Sequence, residues 1–316
     1  MAESPSEKDG GSDKGSAEKP KDRFASDRGP RSMPDIEFDS KRALGYLDEL
    51  CKIGPRISGS EGMKKQQEYL KKYFEEQGGK VEMQRFEAKQ KSQSDLVPMA
   101  NMIVSWHPER TARVLLCSHY DTRPIADREE DQRKWHQPFL SANDGGSGVA
   151  LLMELAHHIK DLKTSVGVDF VLFDGEEFIH RTGDDYFFGS RHFATTYAKN
   201  KPKYNYFAAV LMDMIAGKNP SFPVELNSWD LANPLANELW NIAAEQKCAA
   251  FKFQEGPRVE DDHIALNHAR IPTVDIIDFH YKHWHRLTDL PENCSAEGMD
   301  QVARVLIVWL SRAKSP

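Results

Sequence analysis

Glu176 and Glu177 stand side by side at the end of the apolar run Val168-Asp-Phe-Val-Leu-Phe-Asp-Gly175. Adjacent carboxylates at the mouth of a sheet repel each other and lose hydration, so such a pair persists where a cation sits or a proton is moved. One can hold the cation while its neighbour, pointing elsewhere, works as a base. Other acidic and imidazole groups also follow apolar runs. His119-Tyr-Asp121 comes after Val114-Leu-Leu-Cys-Ser118. An Asp two residues after a His can hold the ring in one tautomer as a ligand or base, and a purely structural pair has the same spacing. Asp144 lies in Ser141-Ala-Asn-Asp-Gly-Gly-Ser-Gly148, where a loop turns into a helix; a metal ligand and an ordinary helix cap both fit there. Asp213 closes Val210-Leu-Met-Asp213, as a site residue or a turn residue. Three histidines fall in Phe279-His-Tyr-Lys-His-Trp-His285, of which one or two at most can face a single site. Carboxylate oxygen and imidazole nitrogen without thiolate at motif spacing suit zinc in a catalytic site with an open position.

The elements that must place these residues alternate between strand and helix. Asp39-Ser40 and Ser60 can cap helices carrying Ala43, Leu44, Leu47 and Leu50, and Met63, Tyr69, Leu70, Tyr73 and Phe74. Extended runs at 81–88, 101–106, 114–118, 168–173, 207–212 and 272–279 read as strands, and 148–159 and the segment from about Ser295 as helices. This pattern predicts an α/β sheet with helices on both faces, in a single domain from residue 34. Ligands of such sheets bind outside the carboxyl ends of the strands, which is where the acidic and histidine residues fall.

The chain has 316 residues and a formal net charge of −7, with no basic block, which argues against a general nucleic-acid binder. No apolar stretch is long enough to span a bilayer. Residues 1–33 are rich in Ser, Gly, Lys, Glu, Asp and Pro and read as a disordered leader ahead of a catalytic domain at 34–316. That leader favours an exported protein, secreted or periplasmic. Cys51, Cys117, Cys248 and Cys294 show no zinc spacing and read mostly as buried free thiols, with one long-range disulfide open. The charged loop 123–139 reads as a solvated excursion or as a lid offering Trp135, and His157-His158 as surface residues.

The set Ser118-His-Tyr-Asp-Thr122, Asn143-Asp-Gly-Gly-Ser147, Phe173-Asp-Gly-Glu-Glu177, Gly189-Ser-Arg-His192 and Met212-Asp-Met214 resembles the zinc aminopeptidase clan; Gly54-Pro-Arg-Ile-Ser-Gly-Ser60 looks like its N-terminal stretch. Glu260-Asp-Asp-His-Ile264 and Trp284-His285 resemble the zinc glutaminyl cyclases within that clan. The resemblance covers roughly 35–314. It implies a central mixed, mainly parallel twisted sheet of the zinc-exopeptidase kind. It also implies one zinc on Asp144, Glu177 and His285, with Glu176 as general acid/base supported through hydrogen bonds by Asp213 and Asp261. Trp284 would wall the substrate side chain, Glu260 would lie against substrate, and an uncommon cis bond would join Asp144 to Gly145. The substrates implied are N-terminal Gln residues of peptides or proteins. One departure is Arg181, which stands where the animal cyclases carry a pocket Trp, making it a candidate substrate contact. The disulfide beside the active site of those enzymes is not expected here. A di-zinc aminopeptidase also fits: Asp144 bridging, Glu177 and His285 on one ion, His119 and Asp213 on the other, and Glu176 activating water. Asp121 would then orient His119, or the two would be a structural pair. A non-catalytic zinc- or peptide-binding module is a third reading, disfavoured because binding alone does not need Glu176.

Overall fold

The computed structural model describes residues 36–200 and 202–314. The leader expected at 1–33 lies outside them. The elements are α1 (Ser40–Lys52), α2 (Glu61–Glu76), β1 (Lys80–Ala88), β2 (Val97–Trp106), β3 (Ala112–His119), α3 (Ser147–Ile159), β4 (Gly167–Phe173), α4 (Phe188–Asn200), β5 (Asn205–Asp213), β6 (Phe222–Val224), α5 (Leu226–Glu245), β7 (Phe251–Glu255), α6 (Asp262–His268), β8 (Thr273–Ile277) and α7 (Ala296–Arg312). The Asp39 carboxylate accepts from the N–H groups of Lys41 and Arg42, and Ser60 caps α2 through the Met63 N–H, as the sequence predicts.

The sheet is mixed, in the order β1-β2-β4-β3-β5-β8. β1, β2 and β4 pair antiparallel, whereas β3 runs parallel to β4 and β5, and β5 parallel to β8. Alternate residues of the inner strands face opposite ways. Val114 and Leu116, Phe170 and Leu172, and Val210 and Met212 enter the larger core with buried residues of α1, α3 and α7. Leu115 and Cys117, Val171 and Phe173, and Ala209 and Leu211 enter a smaller one with Phe193 of α4 and Leu266 of α6. The chain leaves β3 for β4 on one side and returns across it to β5 on the other, so the carboxyl ends of these strands bracket a crevice.

Several elements escape the sequence pattern. In α5, Pro234 interrupts the helical period and Ala232 leaves helical geometry, because proline removes an N–H and crowds the preceding turn. The short strands β6 and β7 form a separate parallel pair. All four cysteines are buried and free.

Candidate active site

Each parallel strand delivers a group at its carboxyl end. β3 ends on His119, the turn after β4 carries Glu176 and Glu177, and β5 ends on Asp213. The loop after β8 carries Trp284 and His285, and the turn before α6 carries Glu260 and Asp261. Asp144 precedes α3, whose N-cap is Gly146 without a side-chain hydrogen bond. Its carboxylate is therefore not engaged as a cap.

The expected cis bond after Asp144 is not found: every described peptide bond is trans. Gly145 turns the chain instead, with φ of 72°. A Cβ at Gly145 would come within 2.5 Å of the Asp121 carbonyl oxygen and 2.8 Å of His119 Cε1. Only glycine allows both the left-handed backbone and that approach. Met214 and His285, without that freedom, also adopt positive φ, 50° and 54°, at the rim of the site.

The groups converge. The ligand atoms of His119, Asp144 and Glu177 lie within 4.8 Å of one another. His285 Nε2 is 3.2 Å from Glu177 Oε2 and 3.6 Å from Asp144 Oδ2. On the other side, His119 Nε2 is 3.1 Å from Asp144 Oδ1 and 3.3 Å from Asp213 Oδ1. Asp144 thus lies between two imidazoles, and both predicted ligand sets have their members in reach. The Asp144 Oδ2 atom is buried with no hydrogen-bond partner. An orphaned, buried carboxylate oxygen among a second carboxylate and imidazole nitrogens fits a divalent cation such as zinc.

A second ring of groups orients this cluster. Asp121 accepts hydrogen bonds from the backbone N–H groups of Glu176 (3.1 Å) and Glu177 (3.2 Å), fixing the turn that carries the pair. Its other neighbour, His119 Nδ1, is 3.5 Å away, beyond ordinary hydrogen-bond length. Asp289 accepts from the N–H groups of Asn143 (2.9 Å) and Asp144 (3.1 Å) and from the Tyr281 hydroxyl (2.8 Å). Asp127 stands 3.0 Å from His285 Nδ1, leaving Nε2 turned to the site. Arg123 joins Asp127 at 2.8 Å and Glu177 at 3.7 Å. The sequence reading gives Asp127, Asp289 and Arg123 no role at the site. The only sequence signal for Asp127 is the charge density of 123–139, and Asp289 has none beyond lying just past the histidine-rich run.

Burial sets the protonation of the site. It pushes the Glu176 carboxyl well above the usual carboxylate range, with Asp261 and Glu177 adding repulsion and His119 opposing. Burial, reinforced by Asp144, moves Glu177 up to about 7 against the pull of His285. Burial also raises Asp213 and Asp261. Asp144 goes the other way, because His119 and His285 outweigh its burial. His119 and His285 are raised, burial being overcome by the carboxylates around them. A cation would replace the protons that this concentration of acid otherwise holds.

The cluster forms the floor of a cavity of about 340 Å³, also lined by Asp261, Glu260, Trp284 and Phe279. The Trp284 ring lies 4.3 Å from the His285 ring and 4.8 Å from that of Phe279, centroid to centroid. Asp213 and Asp261 line the cavity, but no hydrogen bond joins either to the Glu176 carboxylate among the described residues. Asp261 acts on it through charge and accepts from the Asp262 N–H as the cap of α6. Arg181 does not line the cavity. It is exposed in a turn whose His180 and Arg181 N–H groups are gathered by Asp184, at 2.9 and 3.2 Å, and Tyr186 and Phe187 reach the cavity in its place. Trp135 of the 123–139 loop does not line the cavity, whereas Arg123, Asp127 and Arg128 of that loop do. Trp135 Nε1 donates to the Glu129 carbonyl, the Glu129 carboxylate accepts from the Leu287 N–H, and the Arg128 N–H donates to the His285 carbonyl. The loop braces the His285 segment. His157 meets the hydroxyls of Tyr46 and Tyr73, and His158 meets Glu154, all outside the cavity.

The profile of peptidase family M28 matches residues 101–310, two thirds of the chain. The chain belongs to peptidase family M28. Glutaminyl cyclases are among the proteins it resembles. A crystal structure of Fimbriiglobus ruber glutaminyl cyclase is 48% identical, with a TM-score of 0.88, over 92% of this chain and 100% of that one. A leucine aminopeptidase precursor from Bacteroides thetaiotaomicron is 28% identical, with a TM-score of 0.83, over 90% and 100%. The glutaminyl-peptide cyclotransferase of Gloydius blomhoffii is 25% identical over 248 residues, and the match takes in 67% of this chain. The chain spans 64% of the length of that curated relative. Among the described residues no helix is long and apolar enough to cross a membrane.

Proposed function

We propose that this protein is a zinc-dependent glutaminyl cyclase that converts the N-terminal Gln of peptides to pyroglutamate with release of ammonia. The observation carrying this reading is the division of labour in the glutamate pair. Glu177 faces His285 at 3.2 Å within the ligand cluster, while the half-buried Glu176 lines the same cavity beside the aromatic wall of Trp284. The 48% identity to a glutaminyl cyclase, end to end along that relative, supports it.

Asp144, Glu177 and His285 would hold one zinc, which when bound supplies a Lewis acid for the γ-carboxamide oxygen. Trp284 and Phe279 pack against the substrate side chain and fold it back toward its own amine, so that an intramolecular attack is geometrically prepared. Glu176 takes a proton from the α-amine as its nitrogen bonds to the γ-carbon. It returns that proton to the departing nitrogen as the γ-carbon–nitrogen bond breaks, giving ammonia and a five-membered lactam. Burial makes this carboxylate a stronger base than a solvated one, which suits an ammonium proton. Asp261 biases Glu176 toward its protonated form through charge, and Asp121 holds its backbone. Glu176→Gln should abolish turnover of a Gln-initiated peptide with zinc still bound; an active variant overturns the assignment.

A second reading keeps a specific support. His119 and Asp213 flank Asp144 opposite His285, as a di-zinc aminopeptidase would require. Metal analysis of the purified protein separates the two: one zinc per chain for the cyclase, two for the peptidase.

A further inference from the structure

Three arginines line the cavity, and their states differ. Arg123 is buried and engaged by Asp127 and Glu177. Arg258 is tied to Asp230 at 2.7 Å and to the Asn227 side chain. Arg128 has neither kind of partner. Among the described residues no carboxylate oxygen lies within 4.0 Å of it and its guanidinium makes no hydrogen bond to protein. It is nevertheless held in place. Its backbone N–H donates to the His285 carbonyl at 3.2 Å, and its guanidinium lies 4.4 Å from the centroid of the Trp284 ring. Stacking on an aromatic face orients the planar group while leaving its edge N–H donors free. The result is an exposed, oriented cation on the aromatic wall above the ligand cluster.

We propose that Arg128 is a specificity residue that favours substrates carrying a carboxylate close behind the cyclising Gln. This rests on the cyclase reading above. With the Gln side chain at the cavity floor and against Trp284, the chain that follows must leave past the rim, where Arg128 stands. Two sources supply the same chemistry: an Asp or Glu side chain at the second position, or the terminal carboxylate of a Gln dipeptide. A bidentate pairing with the free edge of the guanidinium serves either. Glu260, also exposed on this cavity, repels the same carboxylate, so the preference is that of an exposed pair and not of a buried one.

The test compares kcat/KM within each enzyme variant, so that general losses cancel. The substrates are Gln-Glu-Ala amide, Gln-Gln-Ala amide, Gln-Lys-Ala amide, Gln-Ala amide and the free acid Gln-Ala. For the unaltered enzyme, Gln-Glu-Ala amide should exceed Gln-Gln-Ala amide by roughly two- to five-fold, the scale of a solvent-exposed ion pair. That ratio should fall toward one in Arg128→Gln and as salt rises toward about 1 M, where the screening length shrinks to about 3 Å. It should invert in Arg128→Glu, with Gln-Lys-Ala amide becoming the better substrate. The free-acid-to-amide ratio for Gln-Ala shows whether a terminal carboxylate serves as well as a side chain. Equal ratios in the unaltered enzyme and Arg128→Gln overturn the proposal, as does a uniform loss across all peptides, which marks Arg128 as a mere support for Trp284. If none of the five is cyclised by the unaltered enzyme, the cyclase reading fails and takes this inference with it.

Discussion

The two ends of the same strands treat buried charge in opposite ways. At the amino ends, Arg113 of β3 pairs with Asp169 of β4 and is otherwise surrounded by acceptors: the carbonyls of Trp106 (3.0 Å), His107 (2.9 Å), Arg110 (3.1 Å) and Val168 (3.2 Å). The Tyr206 hydroxyl donates to the same Asp169 carboxylate. All of this is buried and mutually satisfied. At the carboxyl ends, Glu176, Glu177, Asp213, Asp261 and Asp144 crowd around two histidines, and Asp144 Oδ2 has no partner. The difference teaches what each end is for. A satisfied pair ties strands together, whereas unsatisfied acids of one sign hold a cation and a mobile proton.

Substitutions at the two ends should therefore separate activity from stability. The largest effect is expected for Glu176→Gln, which should lower kcat by about 10²- to 10⁴-fold, the range for loss of a general base. Zinc content and the denaturant midpoint should hold or improve, since a half-buried, repelled carboxylate is removed. A large loss of stability would mean that Glu176 is structural and would dissolve the contrast. At the opposite end, Asp169→Ala leaves the buried Arg113 without its counter-ion and should cost about 3–5 kcal/mol in urea unfolding. The folded fraction should keep its zinc and its kcat.

Asp127→Ala sharpens the comparison from within the site. It removes the group that turns His285 Nε2 inward and should weaken zinc binding about 10- to 100-fold in a chelator titration. An unchanged zinc affinity would show that the backbone alone orients the ring. The smallest effect is a pH trend. In chelator-treated protein, burial raises Glu176, Glu177, Asp213 and Asp261 above their unfolded values, so the folded state keeps protons that the unfolded state has released. Their contribution is fully present below the unfolded carboxylate range and is lost as pH rises through the folded values. Stability should therefore decline between about pH 4.5 and 7, the interval over which Glu177 is displaced. Asp144, lowered, exchanges its proton below this interval and leaves the slope there unchanged. Added zinc should remove the decline, and Asp169→Ala should leave the slope unchanged.

What the sequence made legible follows from locality. Glu176, Glu177, Asp213 and His119 each end or follow an apolar run, and a parallel sheet collects such positions at one edge. The inner strands and the helix after Asp144 have clear periods, so the layered α/β plan was readable. Asp289 and Asp127 were not, because their roles exist only once the loop after β8 meets the turn at Asn143 and Asp144 and the loop at 123–139. The resemblance to the animal cyclases, matched along the segment after Glu177, puts Arg181 at the pocket. The Asp184 turn redirects that segment and brings Tyr186 and Phe187 there instead. Pro234 hid α5 by interrupting its period. Reading Asp144–Gly145 as a cis bond came from resemblance alone, whereas a positive φ at Gly145 produces the turn with a trans bond.

The most direct measurement is mass spectrometry of a Gln-initiated peptide incubated with the zinc-loaded protein. Loss of one ammonia with the chain otherwise intact, abolished in Glu176→Gln, is the expected result. Release of the first residue as a free amino acid would contradict it and assign Glu176 to a water molecule instead of a substrate amine.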